Sequence, residues 1–190
     1  MPRYFTLALL IAGVSMLAPQ AGAGQSSAAP LHAGDAFPQL SGQTLTGKLL
    51  QLPAAATGKP ALVVFSFSRT AGKDARSWNE HLFKDFSNSN AIAVPGYQVI
   101  VMESLPKLFR SMAISSMKSN MPLAVQDRTI VSYQDETVWK QHLAASDENR
   151  AYVVLLGPDG HIRWRNSAAF TDSEYAHLKN ELGGPLQPHP

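Results

Sequence analysis

The sequence predicts an α/β fold: a mixed β-sheet with helices on both faces and an N-terminal β-hairpin extension. Three observations predict it. Ala61–Phe67 and Ala151–Leu156 are continuous apolar runs of β-forming residues, the pattern of strands covered on both sides. Segments with helical spacing alternate with further strand-like runs, which calls for helices packed against a shared sheet. Gly157-Pro158-Asp159-Gly160 then forms a tight turn that folds the chain back as a hairpin.

The elements follow in order. Phe37 to Pro53 carries two glycine punctuators, Gly42 and Gly47, among Leu45, Leu49, Leu50 and Leu52, as in short strands of a hairpin. Ala61–Phe67 follows Pro60 as a central strand. From Asp74 the period changes: Ala75, Trp78, Leu82 and Phe86 recur at offsets of three and four, one face of a helix that Asn88 to Asn90 end. Tyr97–Met102 is strand-like. Pro106 opens a helix with Leu108, Phe109, Met112 and Met117 on an irregular apolar face. Met112, Met117 and Met121 with Ile114 read first as core filling; the alternative is an adaptable contact surface. Thr129–Tyr133 suits a short strand, and Asp135 opens a helix with Val138, Trp139 and Leu143 that ends near Ser146. After the hairpin, Thr171 and Glu174 have capping-box spacing ahead of a helix that stops at Gly183-Gly184-Pro185.

The ends of the chain read differently. Arg3, the apolar run Phe5 to Ala18 and the small triplet Ala21-Gly22-Ala23 form the three-part pattern of a secretory signal peptide over residues 1–23. The run is shorter than the ~20 residues of a membrane-spanning helix. Cleavage near Ala23 is therefore expected to leave a periplasmic or secreted protein without a transmembrane segment; an uncleaved anchor is the alternative. Residues 24–33 read as a disordered leader, 34–182 as one domain and 183–190 as a flexible tail.

Composition narrows the chemistry. The 190 residues contain no cysteine, which removes disulfides, thiol nucleophiles, dithiol redox chemistry and thiolate metal sites. A net charge of +2 with interspersed signs gives no basic stripe for nucleic acid. The six histidines show no metal-ligand spacing, so neither a metal nor a cofactor is expected. No G-x-S-x-G elbow is present, and the Asp135-Glu136 and Asp147-Glu148 pairs look like helix-start and loop charges.

Two groups of basic residues remain. Arg69, Thr70 and Lys73 lie where a strand enters a helix, a place whose free amides favour anions. Gly72-Lys73-Asp74 is no phosphate-binding P-loop, since the glycine spacing and the hydroxyl after lysine are missing. The plain alternative is a solvated loop. His161, Arg163 and Arg165 are expected to alternate on one face of the returning strand, with Ile162 and Trp164 on the other, the latter in the core. That face could meet an acidic protein or, as a peripheral contact, lipid headgroups at a membrane surface; otherwise its charges discourage edge pairing.

A strand–helix–strand unit with a later hairpin and closing helix is the thioredoxin-like plan. Within that superfamily the chain resembles the assembly factors for the membrane sector of mitochondrial ATP synthase. The resemblance rests on Phe37-Pro38 through Leu52-Pro53, on Ser66-Phe67-Ser68-Arg69 with Trp78, and on Ala151–Leu156 with Gly160-His161-Ile162-Arg163-Trp164, Ser167-Ala168 and Glu174. It spans most of 34–180, with little carried by 103–145. The export signal departs from that family, whose members act inside mitochondria. The resemblance implies that the reactive cysteine pair of thioredoxin-like enzymes would fall within Ser68–Asp74, and that a cis-proline would stand near Asn149-Arg150-Ala151. Both are missing, and hydroxyl side chains cannot exchange disulfides. The expectation is a non-redox assembly or chaperone factor that binds a protein client. The alternative is an enzyme or small-anion-binding protein with a non-thiol site around Arg69 and Lys73, drawing in Glu103 or Arg150.

Overall fold

A computed structural model describes residues 28–87, 94–133 and 135–183. The expected signal peptide, the start of the leader, the helix end at 88–90 and residues 184–190 lie outside the described residues.

The hairpin forms as strands β1 (Leu40–Thr44) and β2 (Leu49–Leu52), turning at Gly47, whose φ of 91° an L side chain rarely adopts. The core alternation follows: β3 (Ala61–Ser66), α1 (Arg69–Ser87), β4 (Gly96–Val101), α2 (Lys107–Asn120), α3 (Leu123–Gln126), β5 (Thr129–Ser132) and α4 (Glu136–His142). The hairpin β6 (Tyr152–Leu156) and β7 (Ile162–Asn166) and helix α5 (Asp172–Gly183) close the fold. The strands make one seven-stranded sheet in the order β2-β1-β5-β4-β3-β6-β7. β3 runs parallel to β4 and antiparallel to β6, so the sheet is mixed as expected.

Every residue of β3 and of β6 is buried, because both sheet faces are covered. On one face Val63, Phe65, Val99, Ile130, Val154 and Leu156 pack with Trp139 and Leu143 at α4. Phe65 stacks on Trp139 with ring centroids 5.0 Å apart. On the other face Leu62, Val64, Val153 and Leu155 meet Ala75, Trp78 and Leu82 of α1 and Tyr175 and Leu178 of α5. Trp78 is fully buried and edge-on to Phe170, with centroids 5.1 Å apart, a pairing worth about 0.5–1.5 kcal/mol beyond its burial.

Local choices explain the close approaches. Gly42 lies in β1 against β5, and a Cβ there would stand 2.4 Å from Ile130 Cγ2 and 3.0 Å from the Val131 carbonyl oxygen. Only glycine lets these strands meet at that spacing. The entry to β7, at the far margin of the sheet, is covered by the segment ahead of β1: Ala36 bridges His161, Gly34 N–H donates to Ile162 O, and Ile162 N–H donates to Asp35 O. Among the described residues, β2 and the stretch Arg163–Asn166 of β7 are the margins without a further strand partner.

Three details differ from expectation. α1 begins at Arg69, five residues before the apolar period starts at Asp74, because the Ser68 hydroxyl accepts the Ala71 N–H and caps it. α4 ends at His142 rather than near Ser146. The methionine-bearing face does not fill the core: α2 has no buried residue, and Leu108 and Met112 are 81% and 65% exposed. Ile114, Met117 and Met121 are half-buried, so the core-filling expectation fails outright only at Met112, which lies on the outward side of α2. None of the described helices is long and apolar enough to cross a membrane.

Candidate functional site

The C-terminal end of β3 delivers Phe67 into the core and Ser68 to the cap of α1. With Ala71, Ala75 and Trp78 turned inward, helical spacing turns Arg69, Thr70 and Lys73 to solvent. The first turn of α1 carries no acidic side chain. Helix-end amides and two cations therefore add within that turn. The Arg69 and Lys73 side chains form no hydrogen bond or ion pair among the described residues.

One turn on, Asp74 ties this corner together. Its Oδ2 accepts the Ala151 N–H at 2.9 Å, and its Oδ1 accepts the Phe170 N–H at 3.2 Å. The bond to Ala151 draws Arg150 to the same end of the sheet as Lys73. Arg150 is half-exposed and pairs with Asp147 at 3.1 Å. Asp147 is held in turn by Tyr152, whose hydroxyl donates to the Asp147 carbonyl at 2.9 Å. Arg69, Thr70, Lys73 and Arg150 thus gather at one corner.

Behind Phe67 lies a polar cluster that the sequence reading missed. Lys140 Nζ stands 5.7 Å from the Phe67 ring centroid and bonds Glu136 at 2.7 Å and Glu148 at 2.6 Å. Glu136 is buried; its Oε2 accepts the Ser104 N–H at 2.9 Å. Glu103 Oε2 accepts the Glu136 N–H at 2.7 Å. Burial pushes the Glu136 carboxyl up, but the bonds from Lys140 and Ser104 outweigh it and hold the group below its ordinary value. The two carboxylates hold Lys140 above its ordinary value. The i,i+4 spacing of Glu136 and Lys140 was the available signal. The Glu103 carboxylate is thus taken up at the start of α4.

The second basic group does not form one face. A β-bulge between Leu155 and Leu156 sets Trp164 opposite Leu155 and Ile162 opposite Leu156. One extra residue, Arg163, breaks the alternation. Ile162 consequently joins the α4 side of the core, while Trp164, only partly buried, packs on the α1 side, 6.2 Å from Trp78. Arg163 donates to Asp159 at 2.8 Å, and Arg165 donates to the Leu31 carbonyl. His161 Nδ1 stands 3.7 Å from Asp159, beyond hydrogen-bond reach. These residues surround the Gly157–Gly160 turn and β7. Arg150 precedes β6 and the turn follows it, which separates the two groups by roughly 15 Å of strand.

No three His, Asp or Glu side chains among the described residues are grouped to hold a metal ion. The corner offers exposed cations on a rigid frame, suited to a carboxylate or other anionic group presented from outside, and no thiol.

Comparison with known proteins agrees with the fold. The family model described as ATP10 protein matches residues 27–184. Among solved structures, a putative thiol:disulfide interchange protein DsbE from Chlorobium tepidum superposes with a TM-score of 0.57 at 13% identity, covering 80% of this chain and 96% of that one. The thioredoxin domain of a thiol-disulfide oxidoreductase from Bacteroides vulgatus gives 0.55 at 18% identity, with 80% and 99% covered. A member of the Sco family of cytochrome c oxidase assembly proteins gives 0.53 at 18% identity, with 80% and 95% covered. These likenesses establish a thioredoxin-like fold. A search of curated proteins returned no match.

Proposed function

The chain belongs to the ATP10 protein family, and from that membership we propose that it is an exported, non-redox assembly factor that holds a protein client at the corner of Arg69, Thr70, Lys73 and Arg150. An assembly-type role is the family's. The observation that carries the finer reading is the state of this corner. The strands and helices of a thioredoxin-like frame surround it, the chain has no cysteine, and the exposed Arg69 and Lys73 form no ion pair among the described residues, the Asp74 carboxylate being taken up by the Ala151 and Phe170 amides. Such cations suit acidic side chains or a C-terminal carboxylate of a client.

Export is the reading that the apolar run Phe5–Ala18 and the triplet Ala21-Gly22-Ala23 support. N-terminal sequencing of the protein recovered from its native cells tests it: a start at Gly24 supports export, and an intact Met1 overturns it. Client binding is tested by cross-linked recovery from those cells, with wild type beside an R69A/K73A double variant. The expected result is a reproducible partner that survives reduction and alkylation and is depleted in the double variant. Equal recovery by both proteins would place the client elsewhere.

A further inference from the structure

Among the described helices of eight residues or more, α2 alone has no fully buried residue, its inward side being only half-buried, and its charges are of one sign. Its 14 residues include Lys107, Arg110 and Lys118 and no acidic side chain. Arg110 is spent on the fold: Nε donates to Leu105 O at 2.9 Å, Nη2 donates to Glu103 O at 3.0 Å, and its guanidinium lies 4.5 Å from the Tyr133 ring centroid. This anchors the inward side of the helix by its first turns. Lys107 and Lys118 are exposed and form no ion pair among the described residues.

At 3.6 residues per turn, Leu108 and Met112 share the outward stripe, Phe109 flanks it, and Lys107 and Lys118 fall about 20° apart on the other flank. Leu108 is almost wholly exposed, Met112 is largely so, and Phe109 is 47% exposed. Leu123 of the following short helix α3 is exposed as well. Large apolar side chains kept in water cost free energy unless something covers them. The same pattern, an apolar stripe edged by lysines with no acid, is that of helices lying in the plane of a membrane interface.

We infer that α2 is a peripheral docking element for an anionic phospholipid surface, with Leu108, Phe109 and Met112 entering the headgroup boundary and Lys107 and Lys118 meeting lipid phosphates. A bilayer is favoured over a protein partner because the exposed apolar stripe is edged by lysines and α2 carries no acidic side chain to repel a negative surface. A fluid interface needs no shape complement, and its negative charge matches the two free lysines. The inference is independent of the client corner, which lies on a different helix.

The absence of cysteine makes the test site-specific. Met112→Cys in the full chain gives a single thiol for an environment-sensitive dye, and Lys59→Cys, on the exposed loop before β3, gives the control. The probes are vesicles of phosphatidylcholine alone and of phosphatidylcholine with phosphatidylglycerol. The expected result is a blue shift and intensity rise at position 112 on the anionic vesicles only, reversed by molar salt, with position 59 unchanged. Adding L108S should weaken the apparent partitioning about tenfold, and K107Q/K118Q should abolish the preference for anionic lipid. Flotation with anionic vesicles but a silent position 112 would overturn the inference, assigning the contact to another segment. So would equal responses on both vesicle types, equal responses at positions 59 and 112, or a response at 112 only upon capture of a protein. Unchanged circular dichroism of each variant assigns any loss to the surface rather than to unfolding.

Discussion

Asp74 Oδ2 accepts the backbone N–H of Ala151 across 77 residues of chain, joining the second turn of α1 to the chain entering β6. Its other oxygen takes the Phe170 N–H, so one side chain holds three separate segments at the corner where the cations gather. Ala151 is fully buried, and its N–H points where water does not reach.

Asp74→Ala should therefore cost about 1–3 kcal/mol of unfolding free energy, the range for stranding a buried donor. Asp74→Asn keeps one acceptor oxygen and should lose less. Urea unfolding of the two variants checks the order; equal stability of D74A and wild type would show that the clamp is unimportant.

The Glu136–Lys140–Glu148 cluster should give stability a plateau bounded by acid and alkali. Glu136 lies below its ordinary 4.5, so its contribution is full above that value and is lost as pH falls through the lower folded one. Lys140 lies above its ordinary 10.5, so its contribution is full below that value and is lost as pH rises through the higher folded one. Lys140→Gln should remove the alkaline limb, leave Glu136 buried without its cation and cost about 1–3 kcal/mol near neutrality. That is less than for a fully buried pair, since Lys140 keeps 23% exposure. Unfolding free energy measured against pH checks both limbs.

Gly42→Ala should be costly despite adding one methyl group. The new Cβ meets a side chain and a backbone carbonyl of the neighbouring strand, so β1 must shift. A loss of about 1–3 kcal/mol is expected. The complementary Gly72→Ala, where nothing lies within 4 Å of the new Cβ, should be neutral or stabilising in its helix. Thermal melts of the pair provide the comparison.

The client corner separates stability from binding. R69A/K73A should leave unfolding free energy within about 0.5 kcal/mol of wild type, since both side chains are exposed and unpaired. Ser68→Ala should cost about 1 kcal/mol by removing the α1 cap while leaving both cations in the chain. Calorimetry beside client recovery distinguishes a binding surface from a structural one.

How much of this was legible follows from the range of the interactions. β3 and β6 were plain because a strand buried on both faces must be apolar throughout, and the hairpins were marked by Gly47 and by Pro158-Asp159-Gly160. The start of α1 was hidden because its first turn is polar outside Ala71; the usable signal was the cap spacing of Ser68. Met112 read as core because periodicity reports an apolar face and says nothing about what opposes it. The bulge at Arg163 and the reach of Asp74 to Ala151 depend on pairings made only in the folded sheet. The gathering of Arg69 and Lys73 with Arg150, and their separation from His161, Arg163 and Arg165, are products of those pairings.

The bridge from Ala36 to His161 carries a last consequence, for self-association. Strand-by-strand growth of an aggregate needs two free margins per molecule, one to receive and one to offer. At the β7 margin the segment ahead of β1 takes up backbone groups of Gly160 and Ile162 only, so pairing with a second copy there is confined to Arg163–Asn166. Arg163 and Arg165 stand on that stretch, and like charges brought together by such pairing oppose it. Trimming the chain past Phe37 would lengthen the margin open to a second copy.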